Sequence, residues 1–169
     1  TKPLILQFIV SAQKVRKRNI ETRLYLLRKI LEKQILNKRK RSYICSFSSK
    51  TIVYKGLMAS AQLDQFYLDL HQKDFIVKMV LFHERFSTNT GSTWAMAQPF
   101  QMIAHNGEFN TIKGNRLWMK ARENEISSKF WGSDLDNLKP ISEYAGSDSK
   151  NFDNVLEFLV RSGRDIFDS

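Results

Sequence analysis

The sequence predicts an α+β domain, and three patterns carry that prediction. A charged stretch near the start repeats its apolar residues at three- and four-residue steps, the period of a helix packed on one side. Short runs rich in Val, Ile, Tyr and Phe follow it, which is the composition of strands. Further helical stretches flank those runs instead of alternating with them, so helices are expected around a sheet and not between parallel strands. The 169 residues, 42% of them hydrophobic and 12% aromatic, suffice for one domain with a packed core.

Residues 1–19 read as a lead-in and residues 20–169 as the domain. Over residues 20–36 (IETRLYLLRKILEKQIL), Ile20, Leu24, Leu27, Leu31 and Ile35 predict an amphipathic helix with a charged outer face, ended by NKRKR. SYICSFS at 42–48 and TIVYKGLM at 51–58 predict two strands joined by a corner at Ser49-Lys50. SAQLDQFYLDL at 60–70 reads as a helix and FIVKMVLFHERF at 75–86 as a buried strand. The apolar run at 102–104 enters His105-Asn106-Gly107-Glu108, where Asn-Gly predicts a type I′ hairpin turn. A helix is expected over 115–130, with Leu117, Trp118, Ala121 and Ile126 as its apolar stripe, and then a polar stretch over 132–149. The last helix, NFDNVLEFLVRSG, is expected to be capped by Asp148 or Ser149 and ended by Gly163.

The net charge of +10 points towards nucleic acid until it is located. Residues 14–41 hold twelve Lys or Arg against two Glu, whereas residues 42–169 are close to neutral. The basicity therefore belongs to one segment, whose apolar face wants a partner inside the domain and whose only base-stacking candidate is Tyr25. No run approaches the ~18 apolar residues of a membrane helix. A single cysteine, Cys45, excludes an internal disulfide framework and a zinc ribbon, and fits a soluble intracellular setting.

Three polar clusters interrupt apolar runs: FHERFSTNTGSTW at 82–94, AHNGEFN at 104–110 and GSDS at 146–149. Arg85 reads either as a surface charge or as a bidentate grip on a carboxylate. Asn106-Gly107 reads either as a hairpin turn or as a pair of donors for an oxyanion, with Gly letting a substrate approach the backbone. Asp148 reads either as a helix cap or as the partner of an ammonium group. Taken together, the second readings describe a site for an α-amino acid with a reactive side-chain carbonyl, and glutamine fits. A metal site built on His83, Glu84 and His105 lacks a paired-His spacing and a third ligand, so no metal is expected.

HERFSTNTGSTWAMAQPFQMIAHNGEFNTIKGNRLWM closely resembles the glutaminase (class II amidotransferase) domain of glutamate synthase large subunits, with its pattern RFSTNT, W, AQPF, AHNGE, GN and W in order. GSDSKNFDNVLEFLVRSGRDI resembles the later segment of the same domain, SYICSFSSKTIVYKGLM its strand pair, and ETRLYLLRKILEKQI the helix before them. The resemblance implies an N-terminal-nucleophile hydrolase fold, a four-layer αββα sandwich, of which this chain forms part. It implies that Arg85 binds the α-carboxylate of glutamine, Asp148 its α-ammonium, and Asn106 with Gly107 the oxyanion, with Thr88 and His105 lining or supporting the pocket. Gly91-Ser92 departs from the aromatic-Pro pair that is usual there, and Glu84 from an uncharged residue.

In this family the attacking group is an N-terminal Cys whose own amine acts as base. Cys45 lies in a predicted strand beside Tyr43 and Phe47 and reads as a core residue, while Thr1 is followed by Lys-Pro and a basic stretch. The chain is therefore expected to be an interior piece of a longer polypeptide, inactive by itself, from cytoplasm or plastid stroma. In the parent, ammonia from glutamine would aminate 2-oxoglutarate in glutamate biosynthesis. FMN, an iron–sulfur cluster and an electron donor (ferredoxin, or a NAD(P)H-dependent small subunit) would belong to other parts. Two readings compete: a catalytically dead structural or glutamine- or glutamate-binding remnant, and a basic nucleic-acid-binding module.

Overall fold

The computed structural model describes residues 3–11, 20–38, 42–86, 91–144 and 146–169. Five α-helices punctuate them: α1 Ile20–Lys38, α2 Leu63–Phe66, α3 Ile112–Glu123, α4 Leu135–Leu138 and α5 Asp148–Arg161. Short 3₁₀ turns occupy Ser60–Gln62, Leu68–His71, Trp94–Met96 and Gly132–Asp134.

The core forms where α1, α4 and α5 meet. Tyr25, Trp131, Leu135, Leu138, Ile141 and Phe158 bury one another, and Met119 and Ile126 pack against them. Burying each of the larger apolar groups contributes about 1.5–3 kcal/mol. The rings of Tyr25 and Trp131 lie 6.0 Å apart, and the Trp131 indole N–H donates to Ser162 Oγ at 2.7 Å. Three of these core residues come from the stretch read as polar. Isolated Leu135, Leu138 and Ile141 are too widely spaced among charges to show a period, yet tertiary packing collects them.

α1 forms where its period predicts it, but its buried face is different. Tyr25, Arg28 and Lys29 are buried while Leu27 is exposed. Arg28 pairs with Glu157 of α5 and, at 3.0 Å, with Glu32. Burial pulls the Arg28 guanidinium down, but the Glu157 and Glu32 carboxylates more than restore it, so it stays charged. The burial of Tyr25 also removes the one aromatic that the nucleic-acid reading needed. Residues 39–41 of the NKRKR run lie outside the described residues.

α3 starts earlier than expected and ends at Glu123, with Asn124 as its C-cap. Its predicted stripe is not its buried face: Leu117 and Trp118 are 57% and 72% exposed. The buried residue is Glu123, whose carboxylate accepts from the amides of Ile141 and Ser142 at 2.7 and 3.1 Å. The stretch at 60–70 breaks into a 3₁₀ turn, the single turn α2 and another 3₁₀ turn, instead of one helix.

α5 is the best-formed element. Its N-cap is Ser147, not Asp148 or Ser149; the Ser147 hydroxyl accepts from the Lys150 amide at 3.1 Å. Gly163, at φ 98°, ends it. The amide of Gly163 bonds to the Val160 carbonyl and that of Arg164 to the Leu159 carbonyl, a Schellman closure that needs a left-handed residue.

Among the described residues no strand is paired. The runs at 42–48, 51–58 and 75–86 form no helix, and their backbone groups find no ladder. A strand is stabilised by its neighbour, and the faces of the third run have none: Ile76, Met79 and Phe82 are 86%, 83% and 81% exposed. The expected corner survives locally, with the Ser48 hydroxyl accepting from the amides of Lys50 and Thr51. No helix among the described residues is long and apolar enough to cross a membrane.

Candidate functional site

The first turns of α5 and the loop at 98–109 form one hydrogen-bonded unit. Asp153 is 1% exposed, and its carboxylate accepts from the amides of Gln101, Met102 and Ile103 at 3.1, 2.7 and 3.0 Å. Burial pushes this carboxyl up against the downward pull of those three donors. Three consecutive amides are thus fixed on one helix side chain, just before His105.

Gln98 completes the fold-back. Its side-chain oxygen accepts from the His105 amide at 2.7 Å and its NH₂ donates to the His105 carbonyl at 3.0 Å. The side-chain amide stands in for a neighbouring strand and satisfies both backbone groups of His105. Below this clasp the Phe100 amide donates to the Ile103 carbonyl at 2.9 Å.

At the end of the loop, Asp148 Oδ2 accepts from the Phe109 amide at 2.9 Å. Its Oδ1 accepts from the Ser149 amide at 2.6 Å and the Ser149 hydroxyl at 3.2 Å. His105 Nδ1 lies 2.9 Å from Ser149 Oγ, and the imidazole stacks on Phe109 at 4.8 Å between ring centres. Arg116 of α3 donates to the Gly146 carbonyl and so braces the entry to α5.

The structure therefore brings His105 and Asp148 together through Ser149, and it holds Asn106 and Gly107 between them at an exposed loop tip. The tip is a bend but not a type I′ turn. That turn needs positive φ at both central residues, and neither Asn106 nor Gly107 has it. Glycine relieves crowding here: a Cβ on Gly107 would stand 3.0 Å from Nε2 and 3.2 Å from Cε1 of His105.

Arg85 lies on a groove beside this unit. It is exposed, with no ion-pair partner among the described residues, and lines an apolar groove of about 560 Å³ between residues 52–60 and 75–86. Gln98 lines the same groove, so the residue that clasps His105 also borders the groove that holds Arg85. Thr88 lies outside the described residues. The residues of the metal reading are engaged elsewhere: His83 Nδ1 accepts from the Arg85 amide, and Glu84 accepts from Ser60 at 2.6 Å.

Cys45 has no thiolate character. Its Sγ donates to the Val53 carbonyl at 3.2 Å, and burial pushes the thiol up despite the nearby Lys55 ammonium. Thr1 lies outside the described residues. Sequence reasoning missed Gln98, Phe109 and Asp153, and saw Ser149 only as a cap. Asp153 and Glu157 carry the one available signal, two carboxylates a turn apart among the buried residues of α5.

An exposed loop tip, tied to the half-buried Asp148 at the start of α5 and to the buried Asp153 one turn further on, is the most highly bonded polar unit that the sequence motifs share. The chain belongs to the class-II glutamine amidotransferase family, whose description, Glutamine amidotransferases class-II, matches residues 1–169. It is 44% identical over 167 residues to the ferredoxin-dependent glutamate synthase of Antithamnion sp., covering 96% of this chain and 11% of that protein. It is 43% identical over 166 residues to the glutamate synthase [NADPH] large chain of Azospirillum brasilense, covering 97% and 11%. To the glutamate synthase [NADH] of Schizosaccharomyces pombe it is 47% identical over 143 residues, covering 85% and 7%. The chain thus spans about a tenth of the length of the relatives it matches.

Proposed function

We propose that this chain is the substrate-holding part of the glutaminase domain of a glutamate synthase. In this reading residues 20–169 are the amidotransferase portion and residues 1–19 a lead-in. The observation that supports it most is the tie between the two motifs of the family pattern. AHNGEF and GSDS are about forty residues apart in sequence, yet Asp148 and Ser149 bond directly to Phe109 and His105.

The chemistry follows from the charges. Asn106 and Gly107 offer an amide and a backbone N–H to the oxygen of a tetrahedral intermediate, where one such donor is worth ~2.7–4 kcal/mol of barrier. Asp148 keeps acceptor capacity beyond its three donors and takes the α-ammonium of glutamine, with Arg85 for the α-carboxylate and Thr88 and His105 supporting the pocket. Cys45 reads as a structural thiol and not the attacking one, because its Sγ sits 3.2 Å from the Val53 carbonyl and burial pushes the thiol up. The runs at 42–58 and 75–86 pair in the complete αββα sandwich, which covers their exposed faces.

The ammonia released would aminate 2-oxoglutarate elsewhere in the parent polypeptide, in a soluble compartment, cytoplasm or plastid stroma. One cysteine does not fit an iron–sulfur cluster, which takes several thiolates. That cluster, FMN and the contact with ferredoxin or a NAD(P)H-dependent small subunit are assigned to other parts of the parent.

The test is a graft. The 169 residues replace the matching stretch of the Azospirillum brasilense large chain, and glutamine hydrolysis is measured. Turnover within about tenfold of the parent supports the reading, since conserved positioning tolerates little displacement. A folded graft without turnover favours the dead-remnant reading.

A further inference from the structure

We propose that Ser149 and Asp148 hold the His105 imidazole as its Nδ1–H tautomer, which makes His105 the positioning residue that seats Gly107. Ser149 is 1% exposed, and its oxygen lies 2.9 Å from His105 Nδ1 and 3.2 Å from Asp148 Oδ1. A serine hydroxyl has one proton to give. A carboxylate oxygen is a stronger acceptor than an imidazole nitrogen, so the hydroxyl proton goes to Asp148, and the serine lone pairs accept from Nδ1–H.

This sets the other side of the ring. Nε2 keeps its lone pair and, with Cε1, packs against the face of residue 107, 3.0 and 3.2 Å from where a Cβ would stand. The ring is fixed on its face by Phe109 at 4.8 Å, and Phe109 is itself held by Asp148. The His105 backbone is clasped on both polar groups by Gln98. Position therefore passes from α5 through Asp148, Ser149 and His105 to the backbone of Gly107. The tautomer stands on this geometry alone. Its catalytic consequence rests on the reading of Asn106 and Gly107 as oxyanion donors.

Imidazole ¹⁵N NMR on the 169-residue chain tests the tautomer directly, with His71→Gln and His83→Gln assigning the other two histidines. The expected result is a protonated Nδ1 and a bare Nε2 on His105; an Nε2–H form, or an exchanging mixture, overturns the proposal. In the grafted enzyme, Ser149→Ala is expected to lower kcat for glutamine about ten- to a hundredfold, with KM within about twofold. Ser149→Thr, which keeps the hydroxyl, is expected to restore both the Nδ1–H signal and turnover. Unchanged kcat in Ser149→Ala, while Asn106→Ala is impaired, overturns the positioning role and leaves the oxyanion reading intact. Full turnover in Asn106→Ala overturns that reading, and the catalytic half of the proposal with it.

Discussion

The carboxylate of Asp148 accepts a hydrogen bond from the Phe109 backbone N–H at 2.9 Å and so ties the start of α5 to the loop bearing Asn106 and Gly107. The same group has two duties, since its charge is also assigned to the ammonium of glutamine. Asp148→Asn separates them. The amide oxygen can still accept from Phe109, but its NH₂ then faces the Ser149 amide and hydroxyl, so a stability loss of about 1–3 kcal/mol is expected. A charge-assisted bond to substrate is worth about 1.5–3 kcal/mol, so KM for glutamine in the grafted enzyme is expected to rise roughly ten- to a hundredfold. Steady-state kinetics and a urea melt on the same variant check both halves.

Asp153 carries the loop. Asp153→Ala strips three amides of their acceptor inside the protein, and leaving buried donors unpaired costs ~1–3 kcal/mol for each that finds no water. A loss of about 3–5 kcal/mol is expected in urea denaturation. Asp153→Asn, which keeps one oxygen, is expected to lose less than half of that.

Arg28 and Glu157 are a buried pair, each side chain 4% exposed. Glu157→Gln leaves the guanidinium short of a charge and is expected to cost about 3–5 kcal/mol. The double replacement Arg28→Met with Glu157→Leu is expected to cost less than the single one, because it removes both desolvated charges. A double-mutant cycle on chemical denaturation reads the difference.

Glu21 gives a pH dependence of known sign. Burial raises its carboxyl, but the Ser49 side chain and amide, the Ser48 hydroxyl and the Arg161 guanidinium outweigh this and set it below its ordinary 4.5. Its ionised form therefore stabilises the fold. The contribution is full above about pH 4.5 and is lost as pH falls through the lower folded value. The gap in urea midpoint between the wild type and Glu21→Gln is expected to shrink between about pH 7 and pH 3.

Gly163→Ala tests the end of α5. At φ 98° a Cβ is strained whatever space surrounds it, and a loss of about 1–2 kcal/mol is expected. Thermal unfolding measures it.

The helices were legible where a period ran uninterrupted. α1 lies where the spacing of Leu24 and Leu31 places it, and α5 over the stretch NFDNVLEFLVRSG, ended at Gly163. Their buried faces were not legible, because Arg28, Asp153 and Glu157 are charged, and a periodicity count sends charges outward. The strands failed for a different reason. Residues 75–86 have strand composition, but pairing needs a neighbour, and a propensity cannot supply one. The candidate residues Arg85, Asn106, Gly107 and Asp148 could be picked out because each breaks an apolar run. Gln98, Ser149 and Phe109 act through bonds to residues far along the chain, and nothing local marks them. The Asn-Gly pair misled in detail, since Gly107 answers to the His105 ring and not to a turn.

The central claim is that Asn106 and Gly107 stabilise an oxyanion, and the most direct test is kcat for glutamine hydrolysis by Asn106→Ala in the grafted enzyme. The account predicts a fall of about 10²–10³ with the fold intact. Turnover equal to that of the unsubstituted graft would remove Asn106 from the site and contradict the account.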